Sequence, residues 1–220
     1  MNSQNSLFLP TFRFTTLALL ALFTLIFLIQ IFVPVIGTVL VNIFAFHSDA
    51  FLANFFLWQP ITAIFFHANL PHFLWNMLFF VFFGNAIAGA WRVSEFVKYF
   101  LLCGVAGFLC FFVHHSFFHE QHVIGLGASG GITGLMVAFA LIFGETTILA
   151  FFFIPMKAKY FVAILLAIEV IMLWSGSFTE VSNIGHLGGA ACGYVYIKTV
   201  WKRQQNIEPS GGNRILNLEI

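Results

Sequence analysis

Long apolar runs recur along this chain and constrain its fold more than any other feature of the sequence. A bilayer core about 30 Å thick takes roughly 20 apolar residues per helix. Six crossings would therefore leave only short connections in a chain of 220 residues. We predict an all-α polytopic membrane protein, a bundle of six transmembrane helices. The predicted spans are residues 14–36, 73–90, 96–113, 129–143, 158–174 and 184–201.

The scarcity of charged residues excludes an ordinary soluble domain. Only 8% of the residues are charged, against about 25% in soluble proteins. A net charge of +1 without any basic run excludes nucleic acid as a partner and leaves the lipid bilayer. We expect a short cytoplasmic N-terminus (1–13), one membrane domain (14–201) and a polar cytoplasmic tail (202–220).

All the Lys and Arg residues precede the first predicted helix, lie at or beyond the end of the last, or lie near the connections after helices 2 and 4. With six helices they share one side of the membrane, which the positive-inside rule assigns to the cytoplasm. Both termini of this multi-pass protein are then cytoplasmic, and the eight histidines fall toward the other side. The basic residues are Arg13, Arg92, Lys98, Lys157, Lys159, Lys198, Lys202, Arg203 and Arg214.

The fourth predicted helix is short and begins in a glycine-rich stretch, residues 125–134. Its span of 129–143 covers roughly 22 Å, less than the bilayer core. We therefore expect its outer end to be recessed, with Ser129 in a water-filled cavity. Considered alone, however, this segment favours the interpretation of Ser129 as a helix N-cap.

Glycines at every fourth position on the sixth predicted helix, Gly185, Gly189 and Gly193, predict close packing against a second helix. Gly130 and Gly134 offer a matching face on the fourth helix. Docking these faces brings His186 level with Ser129, where a histidine can act as a general base.

The second predicted helix carries His72 and Asn76 four residues apart, on one face near the outer end. Polar side chains on an apolar helix are costly in lipid unless they line a cavity or pair within the bundle. Both explanations remain open for these two residues.

These motifs together resemble the rhomboid intramembrane serine proteases, in particular the bacterial six-helix form. The resemblance covers about residues 50–200 and is highly specific in combination and order. The matching residues are His67, His72, Asn76, Gly127, Ser129, Gly130, His186, Gly189 and Gly193.

The resemblance implies that Ser129 is the nucleophile and His186 its base. It also implies an oxyanion hole made by the Ser129 backbone N–H with His72 and Asn76, while His67 and the four matching glycines support the site. No cofactor or metal is implied. The substrates would be single-pass or multi-pass membrane proteins, cut near the outer end of a transmembrane helix, and the fifth helix would be the lateral gate. A bacterial inner membrane is the implied location.

We expect a Ser–His dyad rather than a triad, because no carboxylate is evident to orient His186. Asp49 is the only Asp in the chain, and Glu120 and Glu180 lie in predicted outer loops. Glu169, inside the fifth predicted helix, is interpreted as a protonated or hydrogen-bonded core residue and only a weak functional candidate.

The sequence departs from the family pattern at two positions. Gln59 follows Trp58 where many rhomboids have Arg, and Thr133 stands where an aromatic side chain often packs on the catalytic histidine.

Two other functions are open at this point. Non-catalytic rhomboid-like proteins bind membrane helices but typically lack the serine or the histidine, and both are present here. A metal transporter is suggested by a dense histidine cluster and by Glu169 within a span. The cluster consists of His114, His115, His119 and His122.

Overall fold

The computed structural model describes residues 13–118, 123–151, 153–175 and 180–201. The predicted segments 1–13 and 202–220 therefore lie outside the described residues, apart from Arg13. The helices are α1 (Phe14–Phe32), α2 (Pro34–Phe44), α3 (Ala50–Ala53), α4 (Gln59–Thr62), α5 (Leu70–Ala90), α6 (Val93–Phe118), α7 (Ser129–Ile142), α8 (Ala158–Trp174) and α9 (Glu180–Tyr196). A 3₁₀ turn (Ala63–Phe65) precedes α5, and a π-helical turn (Ile197–Trp201) continues α9.

Two short antiparallel strand pairs lie in the connections between the helices. Strand β1 (Phe46–His47) pairs with β2 (Ile124–Gly125), with Phe46 opposite Gly125. Strand β3 (Thr147–Ala150) pairs with β4 (Ile154–Lys157), with Ile148 opposite Met156.

The long helices α1 and α5–α9 correspond to the six predicted spans. Within the described residues, three helices are long and apolar enough to cross a membrane: Phe14–Phe32, Leu70–Ala90 and Val93–Phe117. Helices α8 and α9 have 17 residues each and α7 has 14. The predicted class, an all-α polytopic membrane bundle, is confirmed.

The first predicted helix ends earlier than expected. The prediction placed its end near Ile36, but α1 ends at Phe32 and Pro34 starts α2. Proline is compatible with the first turn of a helix, and it disfavours helical backbone at the preceding residue. Val33 accordingly has φ −125° and ψ 70°, so the chain bends there.

Helix α7 is enclosed by its neighbours α5, α6, α8 and α9. Residues 130–139 are buried without interruption. At 1.5 Å per residue the helix is about 21 Å long, which agrees with the short fourth helix predicted from the sequence.

Glycines allow α7 and α9 to approach backbone to backbone. A Cβ atom on Gly189 would lie 2.1 Å from the carbonyl oxygen of Gly130, and one on Gly193 would lie 3.0 Å from Cα of Gly134. The glycine faces predicted on the fourth and sixth helices therefore pack together.

The basic residues of the described segments lie at one end of the bundle. Arg13 packs beside Gly89 at the end of α5, and Lys98 on α6 lies 5.4 Å from the ring centre of Tyr196 at the end of α9. Lys157 reaches Glu145 in the connection after α7. Because α7 runs toward this end, its N-terminal Ser129 lies at the opposite one.

Candidate active site

A cavity of about 900 Å³ opens at the end of the bundle opposite the basic residues. Its walls are mostly apolar and come from α5, α6, α7, α8 and α9. The polar side chains that line it are Asn69, His72, Asn76, Ser129, Thr133, Glu169 and His186. Side chains from the second, fourth and sixth predicted helices are therefore brought to one cavity.

Ser129 is the first residue of α7 and is half-buried. The preceding loop is held by Gly127, whose N–H donates to the carbonyl of Ala63 at 3.0 Å. Gly127 has φ +129°, and a Cβ atom there would lie 2.9 Å from Cε1 and Nε2 of His72. Only glycine fits this backbone and allows the imidazole so close to the start of α7.

His186 on α9 lies near Ser129 because of the adjacent glycines. A Cβ atom on Gly130 would lie 3.5 Å from the carbonyl oxygen of Gly185, so the residues next to Ser129 and His186 are in close contact. Thr133 Oγ1 donates to the carbonyl oxygen of His186 at 2.9 Å and also lies 2.9 Å from that of Gly130. Thr133 thus fixes the backbone of His186.

His72 and Asn76 occupy the first two turns of α5. The Asn69 side chain caps this helix by accepting from the His72 N–H at 2.9 Å. His72 Nδ1 accepts from the N–H of Ala68 at 3.4 Å, so the neutral ring carries its hydrogen on Nε2, the atom beside Gly127. Asn76 Nδ2 donates to the His72 carbonyl at 2.8 Å. The two N–H-bearing side chains therefore line the same cavity as Ser129.

His67 is buried behind the cavity and does not line it. Its ring lies 5.3 Å from that of His72 and 5.4 Å from that of Phe73. Burial and the neighbouring His72 lower the pKa of His67 from 6.5 to about 3, so the ring is neutral at physiological pH. Gln30 on α1 holds the backbone at this residue through two hydrogen bonds of 3.3 Å.

A carboxylate faces the histidine on its other side. Glu169 Oε1 on α8 lies 3.0 Å from His186 Nδ1, and the two side chains are 24% and 20% exposed. With its amide oriented to satisfy both of its neighbours, Asn183 donates to the second oxygen of Glu169 at 3.1 Å. A carboxylate therefore contacts the ring of His186, although none was evident from the sequence.

The sequence did contain one signal for this contact. Glu169 follows a wholly apolar stretch of α8, and an acid at that depth needs a partner. The chain spacing could not identify His186 as that partner, because the two residues belong to different helices. Glu120 lies outside the described residues, as does the side chain of Glu180.

The departure from the family pattern at Gln59 has a local explanation. Gln59 is fully buried and its side chain accepts from the N–H of His47 at 3.0 Å and donates to the carbonyl of Ile43 at 3.3 Å. An amide thus replaces the ionic residue as a link within the loop between α2 and α5.

The histidine cluster falls partly outside the described residues, which exclude His119 and His122. Within the segments that are described, no group of three or more His, Cys, Asp or Glu side chains is arranged to hold a metal ion.

Comparison with known proteins shows what this chain is similar to. The family profile described as Rhomboid domain matches residues 54–203. The chain is 27% identical over 144 residues to RHOMBOID-like protein 12, mitochondrial, of Arabidopsis thaliana, covering 60% of this chain and 43% of that protein. It is 28% identical over 163 residues to Rhomboid-like protein 15 of the same plant, covering 69% and 38%.

A third relative is Rhomboid protein 1, mitochondrial, of Saccharomyces cerevisiae, 30% identical over 163 residues. That alignment covers 69% of this chain and 45% of the yeast protein. The matched segments thus span less than half the length of these curated relatives.

Proposed function

This chain belongs to the rhomboid family, and from that premise we propose that it is an intramembrane serine endopeptidase. It would cleave transmembrane segments of other membrane proteins near the membrane face at which the cavity opens. The observation that carries the proposal is the placement of Ser129, His186, His72 and Asn76 on one cavity beside the start of α7.

In the proposed reaction, Ser129 Oγ attacks the carbonyl carbon of the scissile peptide bond while His186 accepts its proton. The tetrahedral oxyanion that forms is stabilised by donors already aimed at it. The backbone N–H of Ser129, His72 Nε2–H and the second hydrogen of Asn76 Nδ2 would supply them, and the N-terminal end of α7 adds a favourable dipole. His186 then protonates the leaving amine, and water hydrolyses the acyl-enzyme.

The substrate must present an unwound backbone, because the peptide groups of a helix are hydrogen-bonded to one another. The cavity suits such a segment, since α5 and α8 both contribute apolar side chains to its walls. Trp75 and Phe79 contribute on one side, and Leu165 and Ile168 on the other. We propose that the substrate enters between these two helices.

The sidedness follows from the basic residues. Lys and Arg at the end opposite the cavity would face the cytoplasm under the positive-inside rule, which puts both termini there. The bacterial inner membrane stays a prediction, and two of the three relatives named above carry the word mitochondrial in their names.

The proposal is tested with the purified protein in liposomes containing a generic single-pass substrate. We expect wild-type protein to cut the substrate and to be labelled by a fluorophosphonate, and Ser129→Ala and His186→Ala each to abolish both. Asn85→Ala, on α5 but at the basic end, is a matched control that should keep activity. Cleavage that persists in Ser129→Ala would refute the proposal, and a wild-type protein that binds substrate without labelling or cleavage would favour the non-catalytic alternative.

A further inference from the structure

The contact between Glu169 and His186 has no role in a two-residue mechanism. Glu169 follows the apolar residues Phe161–Ile168 of α8, where an ionisable group is costly unless it is paired. Its carboxylate is bound at both oxygens, by His186 Nδ1 at 3.0 Å and by the Asn183 amide at 3.1 Å. Both partners lie on α9, so the carboxylate is held against the helix that carries the base.

A carboxylate at Nδ1 determines which ring nitrogen of the histidine carries the hydrogen. An ionised carboxylate can only accept, so the imidazole must present N–H at Nδ1. The lone pair is then on Nε2, the nitrogen that remains to accept a proton from the serine hydroxyl. The same contact stabilises the imidazolium that forms when His186 takes this proton.

We propose that Glu169 is a positioning residue that holds His186 in the tautomer and orientation required of a general base, so that Ser129, His186 and Glu169 act as a triad. This inference rests on the function proposed above. The orientation of His186 is then fixed twice: Thr133 holds its backbone carbonyl, and Glu169 holds its ring. Neither requires the aromatic neighbour that Thr133 replaces.

A merely structural role would be to attach α8 to α9. The buried residues of α8 are Ala158, Phe161 and Val162, all at the basic end of the helix. Near the cavity α8 is largely exposed, with Ile171 60% exposed and Trp174 91%. Glu169 is therefore also a polar attachment point there, and the experiment must separate attachment from orientation.

The substitution Glu169→Gln makes this separation because it keeps the size of the side chain and its capacity to hydrogen-bond. An amide can accept from Nδ1–H or donate to an unprotonated Nδ1, so it no longer selects the tautomer. We expect kcat for a transmembrane substrate, and the rate of fluorophosphonate labelling of Ser129, to fall by about 10- to 100-fold. KM and Tm should stay close to the wild-type values.

Two further variants complete the test. Glu169→Asp retains the carboxylate one carbon further away and should recover part of the lost kcat. Glu145→Gln is the same chemical change at the other end of the bundle and should leave kcat unchanged. The proposal would be overturned if Glu169→Gln had a reduced Tm or a raised KM while its kcat stayed within twofold of wild type. That result would show that Glu169 only attaches α8 to α9.

A spectroscopic readout is independent of activity. In protein labelled with ¹⁵N-histidine, we expect the His186 resonances above neutral pH to show a protonated Nδ1 and an unprotonated Nε2. In Glu169→Gln both neutral tautomers of His186 should be populated. An identical tautomer pattern in both proteins would overturn the inference, even if neither protein had measurable activity. If the wild-type protein showed the expected tautomer but did not cleave the substrate, that result would count against the proposed function alone.

Discussion

Two glutamates at opposite ends of the bundle each contact a basic side chain, in very different surroundings. Glu145, at the basic end, is paired with Lys157 at 2.5 Å and also with Lys159, and its side chain is 68% exposed. Glu169, at the cavity end, is 24% exposed and contacts His186 on a different helix. One pair lies in water at the edge of a hairpin, and the other lies within the cavity among apolar residues.

The difference shows that a short distance between two ionisable side chains does not by itself measure their contribution to stability or function. Hydrogen bonds from Lys157 and Lys159 lower the pKa of Glu145 to about 2. Water screens an exposed pair of this kind, so it contributes little to the free energy of unfolding. Glu169 is less exposed and contacts the ring of His186 on a neighbouring helix, so its position constrains that ring. In the proposed function, the basic groups at one end indicate the orientation in the membrane, and the polar groups at the cavity end position the reacting groups.

The contrast between the two ends of the bundle can also be tested at the two asparagines of α5, where we expect the largest difference in kcat. Asn76→Ala removes a donor from the proposed oxyanion hole and should lower kcat by about 10²–10³-fold, or roughly 2.7–4 kcal/mol of transition-state stabilisation. Asn85→Ala, at the other end of the same helix, removes an acceptor for the Arg13 N–H. It should change Tm but not kcat, as measured by cleavage in liposomes and by thermal unfolding. Equal loss of kcat in both variants would contradict the division between the two ends.

A smaller effect concerns stability in acid. Because the pKa of His67 is about 3 in the folded protein and near 6.5 when unfolded, the unfolded chain binds the extra proton between these values. The free energy of unfolding should therefore fall by about 1.4 kcal/mol for each pH unit below about 6.5, down to pH 3, with no contribution above 6.5.

His67→Phe should remove this part of the pH dependence, because Phe23, Phe27 and Phe73 already surround the ring. The measurement is Tm as a function of pH, from 7.5 to 4, for the wild-type protein and for His67→Phe. If the two curves of Tm against pH were parallel, His67 would be protonated in the folded protein without loss of stability, and the prediction would fail. The titratable group that faces His67 is His72, which both proteins retain.

The sequence predicted the membrane class, the long helices and the common end of Ser129, His186, His72 and Asn76. Those predictions depended on hydropathy, on the distribution of Lys and Arg, and on glycine spacing, which the chain shows directly. The partner of Glu169 was not predictable in this way. Helix α8 is apolar on every side near that residue, so periodicity does not say which face meets α9.

Other features escaped prediction for local reasons. The hairpin β3–β4 lies in the connection between α7 and α8, residues 143–157, where a short apolar strand has no distinct pattern. The bend at Val33 arises from Pro34 within a run whose hydropathy continues without interruption. The role of Gln59 depends on backbone groups of β1 and α2, which lie 12 and 16 residues away along the chain, respectively.

The smallest effect is expected from Glu145→Gln. Stability from an acid with a lowered pKa is present above its unfolded pKa, near 4.3, and is lost as the pH falls to about 2. At neutral pH the pair is complete, but its exposure leaves it screened. The connection to α8 is also held without it, because Ala158 N–H donates to the Thr146 carbonyl at 2.9 Å and Lys159 N–H to that of Gly144 at 3.1 Å.

Both kcat and Tm of Glu145→Gln at pH 7.5 should therefore match wild type within experimental error, at low and at high salt. A loss of activity similar to that of Glu169→Gln would show that the charges at the basic end reach the site, and the contrast between the two glutamates would fail.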